Sequence, residues 1–287
     1  MPLPTRRATA RWTWSVAMSG TRPSLPTMPW ALSACRTLDP VRCGQIPVAD
    51  GHCNVLGVAG LCVVAVGIDA CKRGWVAIVL RDDREPEAHF LAEMATIASC
   101  IPDATAIAID IPVGLPVVGE RKADRAAKAM LGPRQNSVFM TPVRAALEAA
   151  SHAEATRRAV EISGIGISQQ SYALRSKIFE VERWLAVAPC PVWEVHPEVS
   201  FAMMMGGPAA AGKKTWQGAI ERRHALERAG IRLDHLDPRV GSLAAMDDVL
   251  DAAAAAWSAR RLQAGTAMSL PDPPEVDDRG IAIAIWA

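Results

Sequence analysis

Residues 65–80, AVGIDACKRGWVAIVL, constrain the fold more than any other stretch of this chain. Two β-branched, apolar runs flank a short polar turn, which is the pattern of a hairpin of buried strands. The first run ends on a carboxylate, Asp69, as the strand leaves the core. An acid in that place is costly unless it is paired, hydrogen-bonded or bound to a cation, so Asp69 calls for a partner.

The pattern continues on both sides. Cys62 to Ile68 and Trp75 to Leu80 read as strands, EAHFLAEM supplies a third, and the Gly- and Asp-containing turns between them predict an antiparallel meander. A helical stretch over Ala92 to Cys100 precedes ATAIAIDIPVG, a fourth apolar strand that ends on Asp110 before Pro112 and Gly114. From there the chain turns helical: RKADRAAKAML and VRAALEAASHAEATRRAVEI carry apolar residues at three- and four-residue spacing, separated by the loop GPRQNSVFMTP. SQQSYALRSKIFEVERWLAV predicts another helix, and PVWEVHPEVSF a fifth strand running into a polar turn. TWQGAIERRHALERAG is a helix stopped at Gly230, and SLAAMDDVLDAAAAAWSARRLQAG is the last long one, stopped at Gly265. GIAIAIW fits a short edge strand. The expectation is one α/β domain over 61–287: a mixed five-stranded sheet flanked by helices, with a helical insertion between strands four and five.

The final helix carries the second chemical signal. Asp248 and Asp251 are three apart and Asp247 and Asp251 four apart, so Asp251 shares a face with at least one other acid, a repulsive arrangement on an isolated helix. The AAAAAW that follows is apolar nearly all round, which implies a deeply packed helix rather than a solvated acidic face. An acidic first turn complementing the helix dipole explains one such Asp more readily than three. A divalent cation would relieve the repulsion. Mg²⁺ or Mn²⁺ takes hard oxygen ligands from a few carboxylates, and a pair of such ions about 4 Å apart serves phosphodiester hydrolysis by activating water.

Taken together, GIDACKRGW, AIDIPVGLP, EVHPEVSF and DDVLDAAAAAW resemble the DUF429 family, predicted nucleases of the ribonuclease H-like fold, from about Val63 to the C-terminus. The resemblance implies that Asp69 is the first-strand acid, Asp110 the fourth-strand acid, and Asp248 with Asp251 the helix pair. In that superfamily such acids collect two metals. The DxxDA order is similar to that of RuvC-type Holliday-junction resolvases, although Asp110 stands where those enzymes carry the longer Glu. Asp247 is an extra acid without an assigned role.

Other residues surround this set. On the fifth strand Val192, Glu194 and His196 alternate onto one face, with Glu198 just beyond; His196 is a candidate to shuttle a proton or position water, and Glu198 to reach a metal or substrate. An ordinary strand-end polar cluster is the rival reading. Arg121, Lys122, Arg125, Lys128 and Arg134 lie near one loop, and GKKTWQGAIERR adds Lys213, Lys214, Arg222 and Arg223, the two lysines beside Trp216. Either group could hold phosphates, with Arg121, Arg134, Lys213 and Lys214 the leading candidates; solvated helix faces are the commoner explanation for each group, and Lys213 and Lys214 in their Gly-flanked loop stand out from it. SGIGISQ lacks the third Gly of a dinucleotide loop, and no P-loop is present.

Composition limits the partners. With 31 basic and 30 acidic residues, no bulk positive field draws nucleic acid, so any such substrate must be held by local patches. Seven Cys without CxxC spacing argue for free thiols and a reducing, cytoplasmic setting, and no apolar run reaches the roughly 20 residues of a membrane span. Residues 1–60, rich in Arg, Pro, Ser and Thr and free of acid before Asp39, are expected to form a disordered extension. The functional expectation is a Mg²⁺- or Mn²⁺-dependent nuclease acting on a nucleic-acid phosphodiester. The rivals are an actin-like or sugar-kinase-type phosphotransferase, whose Gly-rich phosphate loops are missing, and a non-catalytic module binding nucleic acid or protein.

Overall fold

The computed structural model describes residues 63–82, 84–276 and 282–287; the expected extension over 1–60 lies outside them. Val64–Cys71 (β1) and Gly74–Arg81 (β2) form the hairpin of the opening stretch, running in register from Val64 opposite Arg81 to Cys71 opposite Gly74. Glu87–Leu91 (β3) pairs antiparallel with β2, a 3₁₀ turn leads into Ile97–Cys100 (α1), and Ala106–Ile109 (β4) lies parallel to β1 on its other side. The insertion follows as Lys122–Leu131 (α2), Arg144–Leu147 (α3), His152–Ser163 (α4), Gln169–Ala173 (α5) and Arg175–Leu185 (α6). Val192–Glu194 (β5) then joins β4 in parallel, giving a sheet of order β3-β2-β1-β4-β5. Pro197–Met205 (α7), Trp216–Arg228 (α8), Pro238–Gly241 (α9) and Met246–Gln263 (α10) precede a ribbon of Ser269–Val276 (β6) and Ala282–Trp286 (β7). This is the expected α/β architecture, insertion included, and it is consistent with a ribonuclease H-like arrangement. Among the described residues no helix is long and apolar enough to cross a membrane. Cys71, Cys100 and Cys190 are free thiols.

Local chemistry accounts for the departures from the sequence pattern. The helix expected over VRAALEAASHAEATRRAVEI divides because Ser151 caps a new one, its hydroxyl accepting the Glu154 N–H. The polar turn expected after β5 is instead α7, started by Pro197 in the first helical turn, where its fixed φ suits a helix and its missing N–H is not needed. The tail strand does not edge the main sheet: β7 pairs with β6 and meets the sheet at a single bridge, Val195 to Trp286. The prolines of SLPDPPEV hide β6 from a pattern search, since proline is confined to strands with an unpaired side.

The two faces of β1 divide the core. Val64, Val66 and Ile68 point toward the insertion helices, whereas Ala65, Gly67 and Asp69 point toward α10, as period-two alternation requires. Ala252 to Ala256 of α10 are each completely buried, and at Gly67 the helix backbone occupies the place of a side chain. A Cβ built on Gly67 would lie 1.9 Å from the Ala256 nitrogen and 2.1 Å from the Ala252 oxygen. Gly67→Ala should therefore force α10 off the sheet, costing about 3 kcal/mol and lowering Tm by roughly 6–12 °C. Gly241→Ala, where a Cβ meets nothing within 4 Å, should change Tm little; thermal melts of the two variants check both expectations.

Candidate metal centre

The same alternation aims three acids at one point. β1 carries Asp69 two residues beyond Gly67, and β4 points Ala106 and Ala108 toward α10, so Asp110, next in that alternation, follows them. The Asp110 N–H donates to the Ile68 carbonyl at 2.9 Å, which locks the two strand ends side by side. Asp251 precedes Ala252, the residue in contact with Gly67, so the close seating of α10 delivers its carboxylate to the same spot. One oxygen from each of Asp69, Asp110 and Asp251 lies within 4.8 Å of the others, at the carboxyl ends of adjacent parallel strands where α/β sheets commonly place ligands. These acids open into a cleft of about 360 Å³, lined further by Asn136, Thr141, Gln170, His196, Glu198 and Lys213.

The acids share little solvent. Asp69 is 7% exposed and Asp251 1%. Burial, and then the charges of Asp110 and Asp251, raise the Asp69 carboxyl well above its usual range. Burial pushes Asp110 up to about 7 and Asp251 to about 6, with Lys213 opposing both shifts. The Lys213 ammonium pairs with Asp251 Oδ2, while Asp251 Oδ1 is buried and has no hydrogen-bond partner. A buried carboxylate oxygen without a donor, beside two more crowded acids, suits a hard cation: the donor set is all oxygen and Asp251 Oδ1 is left unsatisfied by the protein's own donors.

The remaining candidates take distinct places. Asp248 stands outside the triad; it is partly exposed and its Oδ2 accepts the Ala245 N–H, so it caps the N-terminus of α10, and Asp247 is its neighbour there. Burial raises the Asp248 carboxyl, against the effect of that N–H. Glu198 is held in a buried fork by Arg222, with Nη2 to Oε2 at 2.7 Å, and so faces the cleft already neutralised. His196 directs Nε2 at the Ser137 carbonyl, 3.3 Å away; because a carbonyl only accepts, that nitrogen carries the proton and Nδ1 is a bare acceptor, buried and without a partner. Burial lowers the His196 pKa, against the opposing effects of the Ser137 carbonyl, Asp251 and Glu198.

Arg121, expected among phosphate ligands, is 3% exposed. Its guanidinium binds Glu194 and Asp124 and donates to the Gly114 carbonyl at 3.2 Å, leaving no edge for a substrate. Glu194 faces the side of the sheet opposite Asp110, because its register partner on β4 is Ile109. Burial pushes the Glu194 carboxyl to about 7, against the pull of Arg121. Arg134 gives Nε to the Ala209 carbonyl at 2.9 Å and Nη2 to that of Ala210, so it clamps the loop that carries Lys213. Lys214 is exposed beside that loop.

The sequence pattern grouped Arg222 with the phosphate-binding candidates and passed over this loop's other supports. Arg222 donates to the Ala211 carbonyl at 3.2 Å, and Glu221 accepts the Ala211 N–H at 2.9 Å. The Gly212 carbonyl lies 2.0 Å from where a Cβ of Gly218 would stand, so only glycine fits there. Thr215 caps α8 by accepting the Gly218 N–H at 3.1 Å. The signal lies in KKTWQG, where a cap residue is followed three positions later by a glycine. Thr141, whose buried hydroxyl has no partner and lines the cleft, carried no signal at all.

The crowded acids make a pH prediction. Because the folded pKa values of Asp110 and Asp251 exceed those of the unfolded chain, the native state binds more protons between about pH 4 and pH 7, and stability falls as pH rises through that window. Without metal the loss should be on the order of a few kcal/mol. Asp110→Asn should flatten the slope, and Mn²⁺ should reverse it by replacing the protons; melts in chelator and in Mn²⁺ across that range measure all three.

Residues 67–276 match the sequence profile of a family described as a protein of unknown function, DUF429. No curated protein and no solved structure matches the chain.

Proposed function

Since the chain belongs to the DUF429 family, whose description assigns no activity, its function must be argued from the site, and we propose a divalent-metal-dependent hydrolase of phosphodiesters, nuclease-like in chemistry. The observation that carries this reading is the gathering of Asp69, Asp110 and Asp251 to within 4.8 Å, with Asp251 Oδ1 buried and unpartnered. Those three residues would hold Mg²⁺ or Mn²⁺, which supplies Lewis acidity toward water and toward a phosphodiester oxygen. Asp248, outside the triad, keeps the N-terminus of α10 in place so that Asp251 stays aimed at the strands.

The chain's own groups account for the rest. His196 lines the cleft, and its buried, unpartnered Nδ1 would be the acceptor that takes a proton from a water molecule or orients it. Lys213 supplies positive charge at the cleft for an anionic substrate. A nucleic-acid substrate is favoured by the residues that follow that lysine: Trp216 is 79% exposed and lies two residues from the exposed Lys214, a stacking plane and a cation close in the chain.

Calorimetric titration with Mn²⁺, alongside cleavage assays on single- and double-stranded RNA and DNA, tests the reading. Asp69→Asn and Asp251→Asn should each abolish metal binding and cleavage together. Metal binding without turnover on any phosphodiester would leave a binding module, and wild type and variants behaving alike would remove the metal reading. Trp216→Ala should leave Mn²⁺ affinity intact and weaken single-strand binding about 5- to 100-fold, the worth of one stacked base.

A further inference from the structure

We infer that Lys213 is a built-in occupant of the metal site, a counter-ion that the entering cation displaces and that then turns to the anionic substrate. This deepens the function proposed above and rests on its metal reading. Three acids meet in the cleft with one cation between them: Lys213 pairs with Asp251 and feels Asp110 and Asp69 as well. The arginines of the region are committed elsewhere, Arg121 to Glu194 and Asp124, Arg222 to Glu198, and Arg134 to the carbonyls of residues 209 and 210.

The position of Lys213 is constructed. Its loop is fixed by Arg134, by Glu221 and Arg222 at Ala211, and by the close contact of Gly212 with Gly218. Its backbone is therefore held while its side chain remains 37% exposed, with open cleft to move into. A dication drawn to Asp251 competes with the ammonium for the same carboxylate and repels it across a few ångströms. Once displaced, the ammonium has lost its acceptor and faces the cleft, where a phosphate oxygen is the ligand its charge selects. Metal and anion should then bind with positive coupling, since each removes a cost the other would otherwise meet.

Lys213→Met should tighten Mn²⁺ binding about tenfold by calorimetry, because the metal no longer has to evict a resident charge. Lys213→Arg, which keeps the charge, should bind Mn²⁺ no more tightly than wild type. Dimethyl phosphate, the smallest phosphodiester, should strengthen Mn²⁺ binding several-fold in wild type and distinctly less in Lys213→Met. If Lys213→Met is unstable without metal, Mn²⁺ should raise its Tm more than it raises that of wild type; a variant still unfolded in millimolar Mn²⁺ overturns the inference, because metal in the place of Lys213 should restore the fold. Mn²⁺ binding that Asp251→Asn abolishes but Lys213→Met leaves unchanged or weakens also overturns it, with the metal reading intact. No binding in wild type and Lys213→Met alike removes both.

Discussion

Everything in the site depends on how closely α10 approaches β1. A helix normally packs against a sheet through side chains, which hold the two backbones apart. Here Gly67 offers no side chain and Ala252 to Ala256 offer only methyl groups, so helix backbone and strand backbone meet where a single Cβ would collide. The contact fixes the helix along its axis as well as across the sheet. Asp251 and Asp69 are neighbours of that contact in sequence, and their convergence is its direct consequence.

Charge is then sorted around this contact. Six acids line the cleft: Asp69, Asp110, Asp124, Glu194, Glu198 and Asp251. Removing one member of a buried ion pair typically costs 3–5 kcal/mol, so each must have an answer nearby. Arg121 answers Glu194 and Asp124, and Arg222 answers Glu198 between α7 and α8. Lys213 is left to face the other three. The excess negative charge is therefore concentrated on the triad rather than spread over the cleft, and it adds to burial, the first cause of the raised Asp69 carboxyl pKa.

Much of this was legible in the sequence because period-two alternation and helix spacing are strong, local signals. They pointed to β1, β2, β4 and α10 and to the acids at their ends. Asp248 was grouped with Asp251 because a three-residue interval puts two side chains on one helix face, but the interval does not say which of them faces the sheet; the seating of Ala252 on Gly67 decides for Asp251. Glu194 and Arg121 were out of reach for a related reason, since the face of β5 that Glu194 takes is set by pairing with β4, a contact between residues more than eighty positions apart. Glu198 stood as a candidate to reach a metal or substrate because its partner, Arg222, lies in a different helix with no pattern linking the two. The strand β6 was hidden by its prolines and the break at Ser151 by helical periodicity on both sides of it.

The choice of cation in each place separates structure from function. Arg121 and Arg222 are almost completely buried and use the guanidinium fork to engage two or more acceptors at once, an arrangement that cannot open without stranding several hydrogen bonds. Lys213 is a point charge on a flexible stem, partly exposed, with a single direct acceptor in Asp251. A charge held that way can leave at the cost of one contact, provided something of higher charge takes its place. The two arginines therefore suit permanent neutralisation of acids that do no chemistry, whereas a lysine suits the one cluster whose acids must be released to a ligand. A fork at position 213 would bind the triad as Arg222 binds Glu198, converting a site open to exchange into a third structural ion pair.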